Sequence, residues 1–253
     1  MRTVIIAQAR MSSTRLPGKT LMDLGGKPVV DHVIARARAA RLADDVWGAT
    51  TTDATDDVLV AHLDAAGVPY VRGSLEDVLA RYVQAAEDSR ADTIVRITCD
   101  CPLIDPEVID ATIAAFREPP EVDYCGNTLR RTYPIGMDTE VLSRAALERA
   151  HAEAMQPHER EHVTPYLYQH PELFRLRNVE APEWATWPEL RLTVDEAADL
   201  EMLQAVVTQV GPDAPLAKSV SFLRERPELL TLSSEVVHRH IDKPPAHEEV
   251  RPT

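Results

Sequence analysis

Arg10, Arg15 and Lys19 crowd into one short stretch of a chain whose formal net charge is -14. They belong to the run Gln8-Ala9-Arg10-Met11-Ser12-Ser13-Thr14-Arg15-Leu16-Pro17-Gly18-Lys19. Small hydroxyl residues such as Ser12 and Ser13 let a backbone approach an anion, so that its amides cradle phosphate oxygens. Arginine adds a planar donor fork and lysine a compact point charge, a combination suited to a polyphosphate. The Gly, Gly-Lys and Ser/Thr spacing of a Walker A loop is absent. The bland alternative is a solvated basic turn.

Two aspartates carry the complementary chemistry. Asp100 closes the strand-like run Arg96-Ile97-Thr98-Cys99-Asp100 just before Pro102, and period-two alternation puts Arg96, Thr98 and Asp100 on one side. Asp195 stands in Leu192-Thr193-Val194-Asp195-Glu196, again between a strand signal and a helix signal, where an acidic residue also suits an N-cap. Magnesium takes one or two carboxylates plus phosphate oxygens and water, so two aspartates at strand ends are what a metal-bound triphosphate requires. His158-Glu159-Arg160-Glu161-His162 matches the HExxH zinc-peptidase helix, but Pro165 stands where the extended metzincin pattern needs glycine.

These groups need a scaffold that brings strand ends together. Strand signals at Val4 to Ala9, Val46 to Thr51, Val68 to Val71 and Thr93 to Thr98 alternate with helix signals at Val29 to Ala40, Asp56 to Ala66, Leu75 to Glu87 and Asp105 to Phe116. Such alternation predicts a parallel sheet wrapped by helices on both faces, with ligands beyond the carboxyl ends of its strands. After Pro119-Pro120 the pattern becomes mixed. Strands are expected at Asp123 to Asn127, Met137 to Leu142, Phe174 to Val179 and Leu190 to Val194, and helices at Arg144 to Ala154, His158 to Gln169 and Glu196 to Gln209, with some strands antiparallel. From about residue 226 the chain is rich in Pro, Glu and His and is expected to end in a frayed tail.

The totals bound the partners. A length of 253 residues suits one large α/β unit, and a hydrophobic fraction of 44% with 27% charged residues is ordinary for a globular protein. The acidic balance argues against a nucleic-acid surface, and no run is long and apolar enough for a membrane span. A strand-like run directly after Met1 leaves no room for a secretory leader, so a cytoplasmic protein is expected. Cys99, Cys101 and Cys125 are odd in number and lack the C-x-x-C spacing of zinc sites, which fits small residues in a reduced compartment.

The run Ala7 to Lys19 resembles the nucleotide loop of the cytidylyltransferase family, which includes the 3-deoxy-manno-octulosonate and acylneuraminate enzymes and, more similar still, proteins linked to spore-coat polysaccharide biosynthesis. The resemblance continues through Leu21-Met22-Asp23-Leu24-Gly25-Gly26-Lys27-Pro28, through Gly73-Ser74-Leu75-Glu76-Asp77-Val78-Leu79-Ala80-Arg81-Tyr82 and through Arg160-Glu161-His162-Val163-Thr164-Pro165, covering about residues 3 to 205. It implies an α/β, Rossmann-like, mostly parallel twisted sheet of the nucleotide-diphospho-sugar transferase (GT-A) type, with a small antiparallel dimerisation subdomain. Residues 1–225 would form the cytidylyltransferase domain, with acceptor binding and dimerisation in about 120–185, and 226–253 a partly flexible extension.

The implied reaction joins CMP from CTP to a small acidic acceptor, a sugar acid or a phosphonate, releasing pyrophosphate with Mg2+ held by Asp100 and Asp195. Lys19 and Arg10 would act on the phosphates. Ala7, Ala9, Ser12, Ser13, Arg15, Arg81 and Thr98 would complete the nucleotide site, and Asn127, Arg130, Arg131, Asp138 and Glu140 the acceptor site. A homodimer is expected by the same resemblance. Two departures concern the acceptor: Cys99 precedes Asp100 where relatives usually have glycine, and Ile135 precedes Gly136 where they often carry aspartate. No side chain is assigned as general base. The rival readings are a glycosyltransferase of similar architecture, for which Pro102 spoils the D-x-D pair, an HExxH zinc peptidase, and a silent binding protein.

Overall fold

The computed structural model describes residues 1–232, so the remainder of the expected tail lies outside the described residues. Its strands are β1 (Thr3–Gln8), β2 (Asp23–Leu24), β3 (Lys27–Pro28), β4 (Asp45–Thr51), β5 (Tyr70–Gly73), β6 (Thr93–Thr98), β7 (Tyr124–Gly126), β8 (Glu140–Ser143) and β9 (Leu176–Asn178). Its α-helices are α1 (Val29–Ala39), α2 (Asp57–Ala65), α3 (Val78–Asp88), α4 (Pro106–Arg117), α5 (Arg144–Glu153), α6 (Pro157–His162), α7 (Pro165–Gln169), α8 (Ala197–Val210) and α9 (Leu216–Glu225). Seven strands form one sheet in the order β5-β4-β1-β6-β8-β7-β9, and β2 and β3 make a separate ribbon.

The parallel half follows the alternation of the sequence. β1 is apolar and buried along nearly its whole length, as a central parallel strand covered on both faces must be. α3 shows how a covering helix is specified: Asp77 caps its first turn by accepting from the Ala80 amide at 3.0 Å, and Val78, Leu79, Tyr82, Ala85 and Ala86 turn one stripe inward. α3, α5 and α7 bury one face of the sheet, while α1, α2 and α4 bury the other. No helix among the described residues is long and apolar enough to cross a membrane.

The antiparallel strands extend this same sheet, because β8 pairs antiparallel with both β6 and β7. Two sequence expectations need correction here. Leu190 to Val194 is not a strand; its only ladder contact among the described residues is a single bridge from Arg191 to Ile135. The backbone of this segment is satisfied loop by loop instead, with Leu192 donating to Ile135 at 2.8 Å and Val194 to Asp100 at 2.7 Å. Gly136 makes that packing possible, since it sits at φ 103 and a Cβ there would lie 2.6 Å from the Leu192 carbonyl oxygen. The helix expected from His158 to Gln169 breaks into α6 and α7 at Val163, and α9 was not anticipated at all.

Candidate active site

The register of the parallel strands places Gln8 beside Thr98, so the loops after β1 and β6 leave the sheet side by side. Asp56, fully buried, fixes the first loop by accepting from the Met11 amide at 2.7 Å and from the Thr50 hydroxyl at 2.9 Å. The loop then folds on itself, with Gly18 donating to the Met11 carbonyl at 2.9 Å and the Thr20 hydroxyl to that of Arg10 at 2.8 Å. Gly18, at φ 77, turns the chain so that Lys19 enters a short 3-10 turn facing the end of β6.

Lys19 joins the two distant carboxylates. Its Nζ donates to Asp100 Oδ2 at 2.9 Å, to Asp195 Oδ1 at 3.0 Å and to the Val194 carbonyl at 2.7 Å. Burial pulls the Lys19 pKa down, but the pull of Asp100 and Asp195 outweighs it and leaves the ammonium above its usual value. Asp100 behaves in the complementary way: burial pushes its carboxyl up, and Lys19 together with the Thr98 hydroxyl at 2.6 Å brings it down to about 2. Asp195 also receives Arg15 at 2.8 Å and Arg191 at 3.0 Å. Arg191 and the Asp199 carboxylate were missed by sequence reasoning. Asp199 caps the start of α8 by accepting from the Asp195 and Glu196 amides at 2.9 and 3.0 Å, which holds Asp195 just outside the helix.

Two cavities meet at these groups. One, of about 270 Å³, is lined by Ala9, Arg10, Ser13, Lys19 and other residues of the first loop. The second, of about 500 Å³, is lined by Arg96, Arg131, Asp138, Glu140, Thr164 and Tyr168 among others. Arg15, Thr98, Asp100, His162 and Asp195 belong to both. The larger cavity has strongly organised walls. The β6–β8 register sets Arg96 opposite Glu140, and they form a buried ion pair, while Tyr124 and Thr164 donate to the same carboxylate at 2.6 and 2.8 Å. Arg131 clasps Asp138 with both Nη groups, at 2.6 and 2.7 Å.

Other expected site residues lie elsewhere. Ala7 is fully buried inside β1. Ser12 Oγ is buried with no hydrogen-bond partner among the described residues, and Arg81 is 1% exposed, giving one Nη to the Ala49 carbonyl that also receives the Ala9 amide. Asn127 is spent on the backbone, donating to Met137 at 2.7 Å and accepting from Thr139 at 2.9 Å. Arg130 is turned outward and paired with Glu180.

The HExxH run is occupied otherwise. Glu159 is buried and accepts from the Met155 and Gln156 amides at 2.9 and 2.8 Å, closing a capping box, and His158 meets Gln169 at 3.2 Å. A peptidase needs that glutamate free beside its metal.

The model of the family described as cytidylyltransferase matches residues 4–210. The chain belongs to the cytidylyltransferase family. It is 36% identical over 236 residues to the spore coat polysaccharide biosynthesis protein SpsF of Bacillus subtilis, covering 90% of this chain and 96% of that one. A 3-deoxy-manno-octulosonate cytidylyltransferase of Rhodopseudomonas palustris is 38% identical over 122 residues, covering 47% of this chain and 49% of the relative. Among solved structures, a cytidylyltransferase from Leptospira borgpetersenii superposes with a TM-score of 0.86 at 29% identity, over 94% of this chain and all of the other. A CMP:2-keto-3-deoxy-manno-octonic acid synthetase complexed with CTP shares the fold, with a TM-score of 0.64 at 21% identity over 83% of this chain and 99% of that one. The chain is therefore a nucleotidyltransferase by family.

The cytidylyltransferase's larger cavity yields a stability prediction. Replacing Arg96 with methionine strands the Glu140 carboxylate in a buried position, and removing one partner of such a pair costs about 3 kcal/mol. Urea unfolding of Arg96→Met is expected to show a loss of that order, whereas an unchanged midpoint would mean that Tyr124 and Thr164 suffice for Glu140.

Proposed function

We propose that the protein transfers CMP from CTP to a small acidic acceptor with release of pyrophosphate. The observation that carries this is the pair Asp100 and Asp195 on the wall shared by the two cavities, with the Lys19 ammonium of the smaller cavity held between them. That ammonium is a stand-in cation: the carboxylates and the Val194 carbonyl already surround one positive charge, an oxygen donor set suited to magnesium. Asp100 and Asp195 would hold the ion, which supplies charge neutralisation for the triphosphate when bound.

In this reading the smaller cavity takes the triphosphate and the larger takes the acceptor. Arg10 makes no ion pair among the described residues and is available for phosphate oxygens. Arg15 and Lys19, released from the carboxylates, follow it and stabilise the charge that grows on the equatorial oxygens of the α-phosphorus. An acceptor oxygen attacks that phosphorus in line, the bond to the bridging oxygen of the β-phosphate breaks, and pyrophosphate leaves. Arg96 and Arg131 line the acceptor side, paired with Glu140 and Asp138, and would turn donors toward an anionic group on binding. The working unit in this reading is a homodimer formed through the middle segment, which carries the exposed Met155 and Leu173.

The test is pyrophosphate release from each of the four nucleoside triphosphates with magnesium and a panel of sugar acids, including 3-deoxy-manno-octulosonate, and phosphonates. Release confined to CTP and dependent on an acceptor is the expected result. Release of UDP from a UDP-sugar, with no pyrophosphate from any triphosphate, would replace this reading with glycosyl transfer.

A further inference from the structure

We propose that His162 is the general base of the reaction, and hence that the acceptor attacks through a hydroxyl group and not through an already ionised phosphonate oxygen. The inference rests on the cytidylyl-transfer reading. It begins with position, because His162 lines both cavities at the boundary where an acceptor oxygen must meet the α-phosphorus.

Elimination then singles it out among the boundary and acceptor-side groups. Asp100 and Asp195 are engaged by Lys19, Arg15 and Arg191. Asp138 is clasped by Arg131, and Glu140 is held by Arg96, Tyr124 and Thr164. Arginines cannot accept a proton, and burial pushes the Cys101 thiol and the Tyr168 phenol up, away from the ionised form. The His162 imidazole has no hydrogen-bond partner among the described residues, and a neutral imidazole always keeps one nitrogen lone pair free to accept.

Its surroundings keep it neutral at the start of the reaction. Burial, and then Arg96 across the cavity and His158 on its own helix, disfavour the imidazolium, whereas Glu161 and Glu140 favour it; the balance lies below the ordinary value. Glu140 across the cavity would help stabilise the cation once a proton arrives.

The backbone explains how the ring is aimed. Val163 is fully buried at φ 73 and ψ -53, and the Thr164 amide donates to the His162 carbonyl at 2.9 Å, closing a three-residue turn. That conformation is strained, the more so for a β-branched residue. It lets His162 end one helix and Thr164 directly precede the next while both line the acceptor cavity. Arg160 locks the approach, pairing with Asp77 at the start of α3 and donating to the His151 carbonyl at 2.7 Å.

The step balances without another reactant. The acceptor O–H bond breaks and its proton passes to the imidazole nitrogen. The oxygen's electron pair forms the new bond to the α-phosphorus, and the departing bridging oxygen leaves with pyrophosphate. A phosphonate already carries an ionised oxygen at neutral pH and would need no base to attack.

The decisive experiment measures pyrophosphate release against pH for the full-length protein, His162→Gln and His162→Asn, using CTP and whichever panel acceptor turns over. In the wild type kcat should fall on the acid side as the imidazole protonates. Both variants should lose about 100-fold in kcat with the KM for CTP within about twofold, lack that acid limb, and recover in part with added imidazole. A kcat within about threefold of wild type, an unchanged acid limb, a loss confined to KM, or turnover only with phosphonates would overturn the proposal while leaving cytidylyl transfer standing. Wild-type protein that releases no pyrophosphate with any acceptor would instead overturn the preceding reading. Histidine NMR in the presence of magnesium and CTP needs no acceptor, with the resonance assigned by its loss in His162→Gln. A neutral ring at pH 7.5 supports the role, and a protonated one excludes it.

Discussion

Asp100→Asn is expected to lower the rate of pyrophosphate release by about a thousandfold while leaving the fold in place. The size follows from the charge problem: stabilising a triphosphate's developing charge through a bound cation contributes several kcal/mol, and about 4 kcal/mol corresponds to three powers of ten in rate. Asparagine keeps the shape and still accepts a hydrogen bond, and Lys19 retains its contacts with Asp195 Oδ1 at 3.0 Å and the Val194 carbonyl at 2.7 Å, so the loop need not move. The native carboxyl, at about 2, is ionised throughout the working range, so the defect should be independent of pH between about 6 and 9. The stability effect has the opposite reach. A carboxyl depressed in the folded state stabilises above its unfolded value near about 3.9, and that contribution disappears as pH falls toward 2. Thermal melts of wild type and Asp100→Asn should therefore converge at the acid end. Normal turnover by the folded variant would remove Asp100 from the mechanism.

The elements that sequence reasoning placed well are those whose periodicity reports their own burial. β6 was expected at its observed bounds, and α1 and α8 differ only at their ends, because an apolar run between turn residues has few other solutions. Leu190 to Val194 shows where the same rule fails. Its apolar residues are buried as a strand's would be, yet their backbone partners are the 135 loop and the Asp100 carbonyl, which periodicity does not see. The break at Val163 was hidden for a similar reason, since no local preference makes a valine adopt φ 73; tertiary packing imposes it.

The site divides along the same line. Arg15, Lys19 and Asp100 could be singled out by residue type and by their places after expected strands, whereas Asp195 read more readily as a helix N-cap until the family resemblance marked it. Asn127 and Arg130 have equally suggestive types, but one is consumed by the backbone and the other turned outward. The partnership of Arg96 with Glu140 depends on antiparallel register across 44 residues. His162 was visible only inside a matched motif, and the neighbouring zinc-peptidase pattern drew attention to Glu159, whose function is to cap a helix.

Lys19→Ala should lower kcat by several hundredfold, within the range of 10²–10³ that follows loss of a charge-stabilising donor at a reacting centre. The KM for the acceptor should change little, because Lys19 lines the phosphate-side cavity and not the larger one. Removing it has a second consequence that needs no turnover. The ammonium occupies the space between Asp100 and Asp195, so a divalent cation arriving alone must displace a bound positive charge. With alanine there, Arg15 and Arg191 still reach Asp195, but Asp100 has lost its cationic partner. Manganese titrated without nucleotide, followed by electron paramagnetic resonance, should bind the variant at least about tenfold more tightly than the wild type, a gain of about 1.4 kcal/mol. With CTP present the difference should shrink, since the phosphates draw Lys19 away and leave both carboxylates open to the ion. Equal manganese affinity in the two proteins without nucleotide would mean that the ammonium does not contest the metal's place. A Lys19→Ala defect confined to acceptor KM would mean that the lysine serves the other cavity.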